Sequence, residues 1–295
     1  MVVAETTRAS GRARRGSPVR QVLTLFGDYW WRVEEPLPSG AIIAAMGDLG
    51  VKEPATRATL SRMVQTGLLD ADRVGRRTTH ALTARAKHIV EEEAQWLDTF
   101  GRREPQWDGL WSVLAFSIPE SRRAVRHSAR SRLKWLGFAP LYDGLWISPA
   151  DTADEAMAQL RSLGVDDVTA MRATLETSFD GPQRAWDLAA VARQYAEFEA
   201  DVKNGADAAD PAVALCERSR LMLAWQAFRG LDAGLPAELL PAPWPRAATR
   251  RLFAERYDEL APGAEARMRE HVAAISPELA ASVTERRLAQ QSNFR

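Results

Sequence analysis

Between residues 18 and 101 the apolar positions change period twice. Pro18 opens the segment PVRQVLTLFGDYWW, where Val22, Leu25, Phe26 and Tyr29 recur at helical spacing on one face. RVEEPLPSG reads as a loop, and Ser39 is placed to cap a short helix, GAIIAAMGDLG, closed by Gly47 or Gly50. VKEPATRATLSRMVQTG is a third helical pattern, with Pro54 in the first turn and Gly67 at the stop. LLDADRV and RTTHAL then read as strands around a turn at Gly75-Arg76. Thr83 starts a long helix, ARAKHIVEEEAQWLDTF, ended by Gly101. Helix, helix, helix, hairpin, helix is the order of a winged helix-turn-helix, in which three small helices share a core and the hairpin covers one side.

After the linker REPQWDG the pattern changes. LWSVLAFSIP is a strand bounded by Pro119, and ESRRAVRHSARSRLKWL is a helix. GFAPLYDGLWISP holds two short strands joined at Tyr142-Asp143-Gly144. DTADEAMAQLRSLG is a helix capped by Asp151 or Thr152, and VDDVTAMRATLETSF is a last strand region. This order is the split βαβ of ferredoxin-like folds. From Gly181 onward the segments QRAWDLAAVARQYAEFEADV, PAVALCERSRLMLAWQAFRGL and PRAATRRLFAERYDELA are helical, with a last helix or two near the C-terminus. The connection GLPAELLPAPWP is rich in proline but apolar, so it should pack down, with Trp244 anchoring it. The expected fold class is α+β. A disordered basic tail (1–16) precedes a winged helix-turn-helix with a trailing linker helix (17–101). A ferredoxin-like domain (107–180) and a helical C-terminal domain (181–295) follow.

Composition narrows the function. The 295 residues suffice for two or three domains. Cys216 is the one cysteine, which fits a reducing compartment. His80, His88, His127 and His271 are scattered with no metal-binding spacing, so no metal site is expected. There is no secretory signal pattern and no apolar run near the roughly 20 residues that span a bilayer, so a cytoplasmic location is expected. The net charge is zero but uneven: residues 1–80 carry twelve basic and eight acidic side chains, leaving the remainder at −4. A basic head on an acidic body suits a polyanionic partner. The plainer reading is a solubilising tail, since four of the twelve lie before residue 17.

The third helix sharpens the choice. At about 100° per residue Leu60, Met63, Val64 and Thr56 form a buried stripe. Ala55, Ala58, Thr59, Ser61, Arg62 and Gln65 take the far side, where small side chains allow close approach to a groove. Arg62 and Gln65 can reach base edges or phosphates. Arg57 lies at the border, where it either reaches DNA or pairs with an acid such as Asp48. Arg73, Arg76 and Arg77 lie at or beside the hairpin tip and could enter a minor groove or clamp phosphates. A solvated turn is the usual fate of such charge. Here arginine lies on both the helix and the wing within 30 residues, which favours double-stranded DNA as partner. The competing reading is a winged-helix protein-interaction scaffold.

The segments VLTLFGDYW, ATRATLSRMVQTGLL and RVGRRTTHALT resemble the N-terminal domain of PaaX-type transcriptional regulators. GLWSVLAFSIPESRRAVRHSARSRLKWLGFAPLYDGLWISP resembles the family's central ferredoxin-like module, and GLPAELLPAPWP its C-terminal region. The resemblance runs from Ser17 to about residue 275. It implies a dimeric repressor of aromatic-acid catabolic operons, in which the founding type senses phenylacetyl-coenzyme A and releases its operator. The central module is also similar to that of CRISPR-associated nucleases, which hold metal with a carboxylate at the end of the first strand. LAFSIP has no acid there, and Asp108, Asp143 and Asp151 sit at turns or caps. No catalytic residue, no metal and no cofactor is therefore expected.

One basic stripe stands out. Arg123, His127, Arg130 and Lys134 fall within about 60° of each other, opposite Val125, Ala129, Leu133 and Leu136. It could meet the phosphates of a coenzyme A ester, with Trp186 among the aromatics that could line an acyl pocket. A wet charged face is the favoured reading of the stripe. Trp186, Tyr195, Phe198, Trp225, Phe228, Phe253 and Tyr257 are expected in a core or a dimer interface.

Overall fold

A computed structural model describes residues 16–75, 77–177, 181–206 and 209–288. The expected disorder of the tail falls on residues 1–15, outside this range, except for Gly16. By internal contacts the chain divides into two compact units, one of residues 1–100, 198–227 and 248–295, the other of 101–197 and 228–247.

The first unit begins with α1, Pro18–Tyr29, capped by Ser17, whose hydroxyl accepts from the Arg20 amide at 3.3 Å. Val22, Leu25, Phe26 and Tyr29 are buried as the spacing predicts, but so are Gln21, Thr24 and Asp28. The helix is enclosed because α8, Pro211–Gln226, packs on its polar side. Next come β1 (Leu37–Pro38), α2 (Ser39–Asp48) and α3 (Glu53–Gln65). Ser39 does not cap α2: it is the first helical residue, and its hydroxyl meets His80 Nδ1 at 3.0 Å. Strands β2 (Leu69–Val74) and β3 (Arg77–Leu82) form the hairpin, with Val74 opposite Arg77 and Gly75 in the turn between them. Gly75 has φ +64°, a conformation that glycine adopts without steric cost. β1, within a stretch read as loop, pairs with β3 through Leu37 and Pro38. Proline has no amide to donate, so a two-residue edge strand is where it is tolerated. Thr83 caps α4, Ala84–Thr99, accepting from the Ala86 amide at 3.2 Å.

The C-terminal helices α9 (Arg246–Glu259) and α10 (Ala261–Ala273) complete this unit, apart from the first residues of α9. Trp225, Phe253, Phe198 and Tyr257 form a buried aromatic cluster, with the Trp225 and Phe253 rings stacked 4.9 Å apart. Asp48, at the end of α2, is gripped from α10. Arg267 donates to both its oxygens at 2.8 and 3.1 Å, and His271 Nε2 lies 2.7 Å from Oδ2. Burial raises the Asp48 pKa, but the bonds from Arg267 and His271 outweigh it and hold the carboxyl below its ordinary 3.8. A depressed carboxylate pKa adds stability that is present above 3.8 and lost as the pH falls through the folded value. Asp48→Asn should therefore cost about 2 kcal/mol at neutral pH and less at about pH 3, below the ordinary 3.8. Urea unfolding at the two pH values checks this; an equal loss at both would be the contrary result.

The second unit carries a four-stranded antiparallel sheet of order β5-β6-β4-β7, from β4 (Trp111–Phe116), β5 (Ala139–Tyr142), β6 (Leu145–Ser148) and β7 (Val168–Ala173). Helices α5 (Arg123–Trp135) and α6 (Ala153–Ser162) cover one face, burying Leu114, Ala129, Leu133, Trp146 and Leu160. This is the ferredoxin-like arrangement the element order predicts. Successive β4 residues point to opposite faces, so Trp111 and Val113 face the other way. They pack with Ile147, Leu235 and Leu239, the last two from the proline-rich connection, which packs down as its apolar character requires. A buried Asp232 there accepts from Arg246 at 3.0 Å through each oxygen and from Tyr195 at 2.7 Å. Tyr195 lies midway along α7, Leu188–Lys203.

Gly144 closes the β5–β6 turn at φ +82°, and a Cβ there would stand 2.9 Å from the Phe116 carbonyl oxygen. Gly144→Ala is expected to destabilise the second unit by about 1–3 kcal/mol. A thermal midpoint unchanged by the substitution would contradict that.

Candidate DNA-binding face

Helix α3 shows why some of its residues are available and others are not. Its packed side is Thr56, Leu60 and Met63, on α1, α2 and β2. Ala55, Arg57, Ala58, Ser61, Arg62 and Gln65 are exposed. Thr59 is a correction. It is only 5% exposed, and its hydroxyl donates to the Ala55 carbonyl at 2.8 Å. About 100° per residue puts Thr59 beside the buried stripe, and its hydroxyl is satisfied within the helix, so it offers nothing to a ligand.

The pairing suggested for Arg57 is corrected too. Arg57 donates to Glu53 at 2.8 Å, one turn back on the same helix, while Asp48 is taken by Arg267 and His271. The Arg57–Glu53 pair is exposed, so it costs little to exchange Glu53 for another anion. Ser61, Arg62 and Gln65 have no side-chain partner among the described residues.

A groove of about 530 Å³ runs between α3 and the hairpin. Arg57, Ser61 and Gln65 line it from the helix, and Ala71, Arg77, Thr78 and His80 from the strands. Its end is formed by Ser39, Gly40 and Ile43 of α2 together with Ile275, which follows α10. The structure thus brings Arg57, Ser61, Gln65 and Arg77 to one concave surface. Arg62 is exposed but does not line it. Arg73 turns back along the hairpin, its Nε donating to the Gly75 carbonyl at 3.2 Å. Arg76 lies outside the described residues.

Burial lowers the pKa of His80, so the imidazole beside Ser39 is neutral near pH 7 and adds no charge to the groove. The spacing of apolar positions gave no sign of His80 or Ser39 as lining residues; the pairing of β1 with β3, which sets Leu37 opposite His80, brings the start of α2 and its Ser39 beside His80.

The suggested effector set does not form one site. Arg123, Arg130 and Lys134 are exposed on α5, which packs on one face of the central sheet. Trp186 packs on the opposite face, its ring 6.1 Å from Trp111. A sheet separates them because β4 alternates its side chains, which a one-dimensional reading of α5 does not reveal. Arg123 donates to Glu120 at 2.7 Å. Asp108 accepts from Arg172 at 2.6 Å and from the Leu110 amide at 3.0 Å, a turn-forming role as the sequence suggests. Among the described residues no group of three or more His, Cys, Asp or Glu side chains could hold a metal ion, and no helix is long and apolar enough to cross a membrane.

Fold and face together define a winged helix-turn-helix protein with a ferredoxin-like module. Comparison with known proteins makes this specific. Residues 20–86 match a family model described as PaaX-like protein, residues 104–185 match the PaaX protein central Cas2-like domain, and residues 186–270 match the PaaX-like protein C-terminal domain. The chain belongs to the PaaX family. The Transcriptional repressor PaaX of Escherichia coli (strain K12) is 26% identical over a match covering 82% of this chain and 80% of that protein. The solved structure of Uncharacterized protein Rv0674 from Mycobacterium tuberculosis shares the fold, with a TM-score of 0.57 at 22% identity, covering 84% of this chain and 96% of that one.

Proposed function

We propose that this protein is a dimeric, ligand-responsive transcriptional repressor that grips operator DNA with α3 and the wing. The observation that carries the reading is the convergence of Arg57, Ser61, Gln65 and Arg77 on one open groove. The repressor named among its relatives supports the regulatory role. Small residues let the helix approach bases, Gln65 is built for bidentate contact with adenine, and the arginines hold phosphates on both sides. A twofold dimer would present two such faces to half-sites about 34–36 Å apart.

The regulated genes would be an aromatic or carboxylic acid catabolic operon, and the releasing effector an acyl- or aryl-coenzyme A thioester such as phenylacetyl-CoA. Release is linkage. A ligand that lowers operator affinity 100-fold needs about 2.7 kcal/mol of differential affinity for the two states. Gel shift against the gene's own upstream region, at moderate salt and beside a scrambled duplex, is the test. Preferential retardation that phenylacetyl-CoA reverses is the expected result; equal retardation of both duplexes would reject the reading.

A further inference from the structure

The central unit has its own cleft, of about 420 Å³, at the carboxyl end of β4. Phe116 and the buried Trp146 line it together with Ser117, Arg126, Arg130 and Asp143. Helix α5 places the two arginines one turn apart on the same face. The turn at Gly144 is pinned against β4 by the Phe116 amide, which donates to the Gly144 carbonyl at 3.0 Å.

The two arginines differ in what they have left to give. Arg126 is fixed: it donates to the Ile118 carbonyl at 2.6 Å and pairs with Glu120. Arg130 is half exposed, and it faces Asp143 at 3.9 Å, a distance too long for a hydrogen bond. Asp143 is itself fully exposed, so it can swing aside. The Ser117 hydroxyl has no partner among the described residues. Helix α5 carries Arg123, Arg126, Arg130, Arg132 and Lys134 and no acid, so the helix that supplies the two arginines of the cleft is basic.

We propose that this cleft binds the phosphate-bearing end of a small molecule, with Arg130 and Ser117 as donors, Arg126 as a fixed positive wall and Asp143 as a displaceable counter-ion. The assignment rests on the ligand-responsive reading above and locates where that ligand's phosphates are held. It replaces the diffuse stripe of Arg123, His127, Arg130 and Lys134 with a concave site on one side of it. A local pocket of about 420 Å³ that two arginines line beside Phe116 and Trp146 fits a nucleotide-sized anion; a duplex backbone needs a long open surface.

Adenosine 3′,5′-bisphosphate and inorganic pyrophosphate are the probes, titrated calorimetrically into the full-length protein at low salt. Saturable binding of the bisphosphate is expected. Arg130→Ala should weaken it about tenfold, the loss of one charge-assisted donor pair. Asp143→Asn should tighten it several-fold, and Arg123→Ala, outside the cleft, should leave it within about twofold. Both Arg130 and Asp143 are on the surface, and the opposite signs of their effects exclude misfolding as a common cause. The assignment is overturned if neither probe saturates in the millimolar range. It is also overturned if Arg123→Ala is as harmful as Arg130→Ala, or if only a single-stranded oligonucleotide binds in an Arg130-dependent way. Operator binding measured on the same preparations without ligand separates the two failures: intact operator binding with no anion binding rejects the cleft alone.

Discussion

Arg218→Ala is expected to destabilise the first unit by about 3–5 kcal/mol, the cost of leaving a buried carboxylate without its cation. Arg218 lies on α8 and is fully buried. Its guanidinium sits over the Tyr257 ring at 3.8 Å and the Tyr29 ring at 5.2 Å, and its Nε donates to the Tyr257 carbonyl at 3.2 Å. Nη1 is 3.9 Å from Asp28, also buried. Burial raises the Asp28 pKa, and the charge of Arg218 is the main force opposing that rise. Burial likewise pushes the Tyr29 hydroxyl up to about 12, so it stays protonated. Asp28 and Tyr29 belong to α1, the first helix of the winged domain. Operator binding should therefore be lost along with the fold, although Arg218 is far from the groove in sequence. Urea unfolding of the single and double variants measures the coupling. Asp28→Asn combined with Arg218→Met should recover part of the loss, because a neutral pair of similar volume needs no compensation. An Arg218→Ala variant with an unchanged urea midpoint would show that the pair does not stabilise the first unit.

The second large effect concerns the groove. Arg57→Ala with Arg77→Ala removes a guanidinium from each wall and should weaken operator binding about 100-fold at moderate salt. The salt dependence distinguishes the mechanism. If each protomer neutralises about four phosphates, the dimer's slope of log affinity against log salt is near −7. Removing two contacts per protomer should bring it to about −4. Stability should hardly change, because both side chains are exposed and the Arg57–Glu53 pair is a surface pair. Arg62→Ala, on the open face of α3 outside the groove, should cost less. An unaltered slope in the double variant would remove phosphate contact from the account of the groove.

Much of the fold was legible along the chain. The change from helical to alternating spacing after Gly67, the hairpin turning at Gly75 and the strand-helix-strand-strand-helix-strand order each correspond to an element in place. Local preferences and tertiary packing agree there. The expectation was weaker where a third segment intervenes. Helix α1 has one apolar face by periodicity but is buried on its polar side too, because α8, nearly two hundred residues later, covers Asp28 and supplies Arg218. Asp48 was available to Arg57 by sequence proximity; α10 took it instead, with two donors already in place.

The candidate site divides in the same way. Helical geometry alone put Ser61, Arg62 and Gln65 on the open face of α3, and hairpin chemistry put arginine at the wing. Whether Thr59 faced outward depended on how deeply α3 sits against its neighbours. Arg77, Thr78 and His80 join the helix residues because of the β2–β3 register, and Trp186 leaves the effector set because β4 alternates its faces. The elements, their order and the residue types offered to solvent follow from periodicity, capping and turn preferences that act within a few residues. Which buried charges pair with one another and which stay open depends on contacts between helices remote in the chain, where desolvation penalises a charge left unpaired.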